Sequence, residues 1–308
     1  MLTLFAIPKP FIGHIGVIQR NAVESWTRLD PRPEIFLVGE DEGTKETAEE
    51  FGIKHIPDIA LNEFGAPMVD SIHQHIDASA TSSILCYVNA DIILTNDLMR
   101  ALEQAEARDE PFVMVGQRWD MDIREPLDFG PDWEDDLRQD VARRGSRGPR
   151  TGEDYCVFPK GFFADMPAFT VGHVGDDGWR MFTTRSRGVD LIEASQRVLV
   201  VHQQHDYSHI PKERGTNRTG IETDRNMALA GGRSHMFIMK DRTHLLTSKG
   251  VQKARDGWRY WRILRTSLAL HPTMPFPFRW GLKAINGAID NSRQVLVMLR
   301  LIRPYVSP

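Results

Sequence analysis

The sequence predicts an α/β fold in which a mostly parallel sheet is flanked by helices. Three observations carry this expectation. Over residues 1–115, short apolar runs alternate with segments of helical periodicity, the pattern of strands returning through crossover helices. The 308 residues, 41% apolar and 26% charged, are ordinary globular material, enough for one large α/β domain or two small ones. No internal repeat, low-complexity tract or uncharged apolar run of the ~17–25 residues needed to span a membrane interrupts the pattern.

Residues 2–8 read as a buried strand ended by Pro8 and Pro10. A helix follows from about Gly13 to Leu29, because Ile15, Ile18, Ala22, Trp26 and Leu29 recur at spacings of three and four and share one face. Pro31 and Pro33 break it, and residues 34–38 form a second strand ending at Gly39. A helix from Thr44 is closed by Gly52, a natural C-cap. A short strand at 54–56, a loop at 62–67 and a helix at 68–79 follow, the helix with Val69, Ile72 and Ile76 on one side. The apolar strand 83–88 runs into Asn89-Ala90-Asp91, and a helix at 97–107 leads to a strand at 111–115. Beyond it, Trp133, Leu137 and Val141 mark a helix ending in the basic loop 143–150. Strands are expected at 155–159 and 197–202, and helices at 177–187 and 224–230. Basic amphipathic helices at 250–270 and 279–303 are split by the Pro-rich segment 271–278.

Charge is unevenly spread. The net charge is −4, yet residues 250–308 hold ten Lys or Arg against two acids, a basic tail on an acidic body. Such a tail suits packing on the body, contact with an anionic membrane surface, or a protein partner. Nucleic acid is not expected as a partner: the whole is acidic, and no nucleic-acid module is recognisable. Cys86 and Cys156 lie inside apolar segments and are expected to be buried, reduced thiols. The first ten residues lack a basic region followed by a long apolar one, so the expected setting is the cytoplasm, with peripheral contact at the inner membrane face through 250–308.

In parallel sheets ligands bind beyond the carboxyl ends of strands, so chemistry is sought in the following loops. Asp91, at such an end, can hold a divalent cation, or with Asn89 satisfy turn backbone. His202-Gln-Gln-His205-Asp206-Tyr-Ser-His209 gathers three imidazoles and a carboxylate directly after a strand, which suits a metal shell or phosphate contact. Asp176 and Asp177, at a helix start, can cap the helix or take a proton from an acceptor hydroxyl. Glu40 and Asp41 follow the second strand, where a nucleotide could bond, or form a solvated turn.

In order and context these pieces resemble the GT-A glycosyltransferases. The matching acidic element is Tyr87-Val-Asn89-Ala-Asp91-Ile-Ile-Leu, with Asn89 where the family commonly has the first Asp of Asp-x-Asp. The resemblance covers about residues 2–245 and implies a GT-A-like, Rossmann-type sheet. It divides the chain into a catalytic domain at 1–249, with a nucleotide-sugar half (1–115) and an acceptor half (116–249), and a basic helical extension at 250–308. The implied activity is transfer of a sugar from a nucleotide-diphosphate donor to a glycan or glycolipid acceptor, in polysaccharide or glycolipid assembly. The implied catalytic residue is Asp177, with Asp176 beside it. Donor contacts fall on Pro8, Lys9, Glu40, Asp41, Asn62, Gly65, Asn89, Asp91, Arg118 and Trp119, the last two in a segment, 116–120, that follows a strand towards the sugar. Acceptor contacts fall on Asp154, Tyr155 and Trp179. A divalent cation, Mn²⁺ or Mg²⁺, would be held by Asp91, His202 and His205. The competing reading is a metal-dependent phosphohydrolase built on His202, His205 and Asp206.

Overall fold

The computed structural model describes residues 1–205 and 218–298. Its first half follows the expected alternation, with one strand, β5, that was not expected: β1 (Leu2–Ala6), α1 (Gly13–Thr27), β2 (Glu34–Val38), α2 (Thr44–Phe51), β3 (Lys54–Ile56), α3 (Val69–Ser79), β4 (Ile84–Val88), β5 (Ile92–Leu94), α4 (Asp97–Glu106) and β6 (Phe112–Val115). The second half holds β7 (Trp119–Met121), α5 (Trp133–Arg144), β8 (Ser146–Arg147), β9 (Tyr155–Pro159), α6 (Asp176–Ser186), β10 (Asp190–Glu193) and β11 (Val200–Gln203). It closes with α7 (Ile221–Leu229), β12 (His244–Thr247), β13 (Gly250–Lys253), α8 (Gly257–Leu270) and α9 (Phe276–Met298).

A nine-stranded sheet runs in the order β13-β12-β10-β6-β9-β4-β1-β2-β3. All its pairs are parallel except those of β9 with β4 and β6, and the edge pair β12–β13. The expected class, a mostly parallel sheet flanked by helices, is the one observed. Side chains alternate between two cores, as the two-residue period of a strand requires. Leu4, Ile35, Leu37 and Cys86 enter one core; Phe5, Phe36, Val38 and Leu85 enter the other. Cys86 and Cys156 are buried and free, as expected.

A second sheet, β5-β11-β7-β8, stands at the carboxyl end of β4. Its register builds the site. His202 pairs with Ile92 on β5, one residue beyond Asp91, and with Asp120 on β7. The chain therefore brings together three side chains from positions 91, 120 and 202. Trp26 anchors this sheet to the body: its indole donates to the Ile92 carbonyl at 2.8 Å.

One expectation is corrected. The start of the basic extension, expected to be helical from 250, is strand β13, which pairs with β12 at the edge of the main sheet. A hairpin strand buries a row of backbone bonds that the helical periodicity of 250–270 does not record. Helix α8 is also tied to the body, because Arg262 grips the fully buried Asp241 through two bonds of 2.7 and 2.5 Å. Strand β10 lies inside the sheet between β12 and β6, and no strand was expected there, because its four residues include Asp190 and Glu193.

Candidate active site

A cleft of about 2010 Å³ opens along the carboxyl ends of β1 and β4 and the start of α6. Its walls include Lys9, Asn89, Asp91, Arg118, Asp154, Asp176, Asp177, His202 and His205, nine of the residues expected from the sequence. Two groups of side chains give it chemical character.

The first is Asp91, His202 and His205, whose ligand atoms all lie within 4.8 Å of one another. His205 Nε2 lies 3.0 Å from Asp91 Oδ2, and His202 Nε2 lies 3.6 Å from it. On its other nitrogen, His202 Nδ1 meets Asp120 Oδ1 at 3.0 Å. A carboxylate behind a histidine fixes the tautomer and raises the basicity of the outward nitrogen, the usual support of a metal-binding imidazole. Asp91 Oδ1 is buried and has no hydrogen-bond partner among the described residues. Such an orphan costs free energy unless a cation or donor meets it, so the donor set fits a divalent ion. Burial opposes ionisation of Asp91, but hydrogen bonds and charge from His202 and His205 outweigh it and hold the carboxyl well below its usual range. Burial likewise opposes charge on His202, and the bond to Asp91 outweighs it, so the imidazole pKa is raised.

The second group surrounds Arg180, a guanidinium with no exposure. It pairs with the buried Glu153, with Asp176 at 3.0 Å and with Asp177 at 3.3 Å. Three carboxylates share one cation, so they repel. Burial first, then the charge of neighbouring carboxylates, push Glu153 up to about 7 and raise Asp177 well above its usual value. Asp177 keeps a third of its side chain in solvent (34%), which weakens that push but leaves the carboxylate reachable from the cleft. The backbone places this pair. Gly175 precedes α6 at φ +145°, and a Cβ there would come within 2.8 Å of Asn226 Cβ. Asn226 in turn bonds the Thr170 amide and carbonyl and the His173 carbonyl, pinning the loop that delivers Asp176 and Asp177.

A chain of polar contacts joins the groups. Tyr87 donates to Asn89 Oδ1 at 3.0 Å, Asn89 Nδ2 donates to Asp154 Oδ1 at 3.3 Å, and Arg118 bridges Asp154 at 2.6 Å to Asp120 at 2.7 Å. The Arg180 guanidinium lies 5.0 Å from the centre of the Tyr87 ring. Asp154 is thus committed to Asn89 and Arg118.

Other expected residues lie elsewhere. Tyr155 is fully buried, and Trp179 is packed between Phe163 and Phe169, so neither faces an acceptor; their apolar area is worth more inside the core than at the cleft. Trp119 lies under the Arg147 guanidinium, 4.1 Å from its ring centre, and is absent from the cleft wall. Asn62 holds its own loop: its amide donates to Glu222 at 2.8 Å and its carbonyl accepts from the Phe64 and Ala66 amides. Gly65 supplies that loop's turn at φ +76°. Pro8, Glu40 and Asp41 follow the expected strands but do not line the cleft. Asp206 and His209 lie outside the described residues.

The sequence reading missed Glu153 and Arg180, and did not single out Asp120 as the support of His202. Arg180 was legible in principle, since it stands three and four residues after Asp177 and Asp176 on one helix. It also missed that Trp261, Arg262 and Arg265 of α8 line the cleft.

No protein-family model matches the sequence, and a search of curated proteins gave no match. Among solved structures, the chain is similar to glucosyl-3-phosphoglycerate synthase from Mycobacterium tuberculosis in complex with Mn²⁺, uridine diphosphate and phosphoglyceric acid. That likeness has 10% identity and a TM-score of 0.47, over 75% of this chain and 79% of that one. It is also similar to S. aureus TarS 1-349 in complex with UDP-GlcNAc, at 9% identity and a TM-score of 0.49, over 89% of this chain and 73% of that one. The chemistry of the site stands on this chain's own residues.

Proposed function

We propose that the protein is a GT-A-type glycosyltransferase, moving a sugar from a nucleoside-diphosphate donor to an acceptor hydroxyl. The observation that carries this reading is the shared cleft: the Asp91–His202–His205 trio and the Asp176–Asp177 pair line one cavity beyond the strand ends. In the proposed arrangement the trio holds a divalent cation. Two imidazoles and a carboxylate suit Mn²⁺ better than Mg²⁺, which prefers oxygen ligands alone. When bound, the ion supplies positive charge where the leaving diphosphate becomes negative.

The chain's own residues do the rest. Asp120 holds the His202 ring in the tautomer that leaves Nε2 free to ligate. Lys9, at the cleft wall after β1, adds a cation for the diphosphate. Asp177 accepts the acceptor hydroxyl proton, and its raised pKa makes it a stronger base than an exposed aspartate. Arg180 fixes Asp176 and Asp177 side by side. A base on the acceptor side implies inversion at the transferred carbon.

The proposed acceptor is a glycan or glycolipid presented at the cytoplasmic membrane face. Around the start of α9, Phe276 (80% exposed), Phe278 (67%) and Trp280 (65%) interleave with Arg279 and Lys283, and no acid occurs between His271 and Ala288. Exposed aromatics among cations favour an anionic lipid surface. No helix among the described residues is long and apolar enough to cross a membrane, so the proposed contact is peripheral. Recovery of Phe278→Ser/Trp280→Ser protein equal to wild type in flotation with anionic vesicles would remove this contact.

The test of the transferase reading is a thermal-shift screen of UDP-, GDP-, CMP- and dTDP-linked sugars with and without Mn²⁺. One nucleotide class should raise the melting temperature, and more so with the ion. Silence for all of them defeats the reading.

A further inference from the structure

One stretch of the cleft wall, formed by residues 218–240 and α8, has a chemistry that the transfer step above does not use. Arg218, Arg233, Lys240, Arg262 and Arg265 line it, against a single carboxylate, Asp224. Arg262 is engaged with Asp241 and so fixes α8 against the body. Lys240 is half-buried, and burial together with the nearby charges of Arg150, Arg242 and Arg262 lowers its pKa. The positive charges of Arg150, Arg242 and Arg262 around the half-buried Lys240 repel its ammonium, and an anion entering the cleft beside it relieves that repulsion. Trp261, from the same helix, gives this wall an aromatic face beside the cations. The diphosphate of the donor has its own counter-charges, Lys9 and the ion expected at Asp91, His202 and His205.

We propose that the wall of Arg233, Lys240 and α8 binds an anionic group, phosphoryl or carboxylate, carried by the acceptor. This rests on the transferase reading and narrows it: the acceptor is a charged molecule, and its hydroxyl is presented to Asp177 by the grip on its anion. Arginine forks and a lysine ammonium match phosphoryl oxygens in number and geometry.

The test uses the full chain in EDTA, so that no ion at Asp91 attracts the probe. Glycerol 3-phosphate is titrated against glycerol at matched ionic strength, by calorimetry or thermal shift. Saturable binding of the phosphate and none of glycerol is expected. Arg233→Gln/Lys240→Gln should weaken it about tenfold, the worth of one charged hydrogen bond, while affinity for Mn²⁺–nucleotide stays within about twofold. Equal responses of wild type and variant to glycerol 3-phosphate would overturn the proposal. So would displacement of the probe by UDP in EDTA, which would give the wall to the donor. If nucleotides bind with Mn²⁺ but the phosphate does not, only this proposal falls. If no nucleotide binds under any condition, the transferase reading falls, and the acceptor assignment with it.

Discussion

Asp120 gives the sharpest test of the metal centre, because it touches a proposed ligand without being one. Its Oδ1 lies 3.0 Å from His202 Nδ1, and it shares its charge with Arg118 Nε at 2.7 Å. Loss of a carboxylate behind a ligating histidine costs about 10–100-fold in metal affinity. Asp120→Asn keeps an oxygen that can accept from Nδ1–H and loses only charge, already partly neutralised by Arg118. It should fall near the lower limit, about tenfold or ~1.4 kcal/mol. Asp120→Ala frees the ring to turn and also strips Arg118 of a partner, so it should approach about 100-fold. The assay is titration of Mn²⁺ into the nucleotide-free protein, followed by calorimetry or by the free-ion resonance signal, with melting curves to exclude misfolding. Wild-type affinity in both variants would refute the argument that His202 ligates through Nε2 with Asp120 behind it.

Asp177→Asn should lower transfer by about 10²–10⁴-fold while Mn²⁺–nucleotide binding persists, measured as product formation and donor affinity in parallel; near-normal transfer would strip Asp177 of the base role. Arg180→Met removes the cation shared by Glu153, Asp176 and Asp177 and should cost about 3–5 kcal/mol in urea unfolding at neutral pH, with part of the loss regained on acidification as the orphaned carboxyls take up protons. Ion binding should also depend on pH with a fixed sign. A ligating imidazole must be neutral, and the pull of Asp91 against burial raises His202 above its ordinary 6.5. Mn²⁺ affinity should therefore be full on the alkaline side and fall as pH drops through that raised value. Titrations across about pH 5.5 to 8.5 would check this, and affinity constant down to the lower limit would remove His202 from the shell.

Most of the order of the first half was legible because the helices at 13–27 and 69–79 keep a clean periodicity and the strands at 34–38, 84–88 and 112–115 are mostly apolar. Asp91, His202 and His205 were legible as candidates because a carboxylate at one strand end and imidazoles clustered directly after another strand make up a donor set suited to a metal shell. Their meeting was not legible, for it depends on the pairing of β11 with β5 and β7, and register is a tertiary property. The aromatic residues misled for a physical reason. Tyr155 follows Asp154 on a strand, where successive side chains point to opposite faces, and Trp179 lies two residues after Asp177 on a helix, about 200° round its axis. Asp154 reaches the cleft while Tyr155 enters the core.

Asn89, the departure from the two-carboxylate element, follows from the same geometry. An amide has both a donor and an acceptor, and both are used: Oδ1 accepts from Tyr87 and Nδ2 donates to Asp154. An aspartate at this position would keep the first bond but set a carboxylate against Asp154. That group already has its pKa raised, by burial above all and with the negative charge of Asp91 adding to it. Such like-charge contact disfavours ionisation of both groups. The amide therefore keeps a further negative charge out of the middle of the cleft, and in the proposed metal centre it leaves the ligating charge to Asp91, supported by two imidazoles instead of a second acid. It also links the Arg118–Asp120–His202 side to Tyr87, whose ring lies against Arg180. The residue that departs from the expected element is thus the one that joins the proposed metal end of the cleft, at Asp91, to the proposed proton acceptor, Asp177.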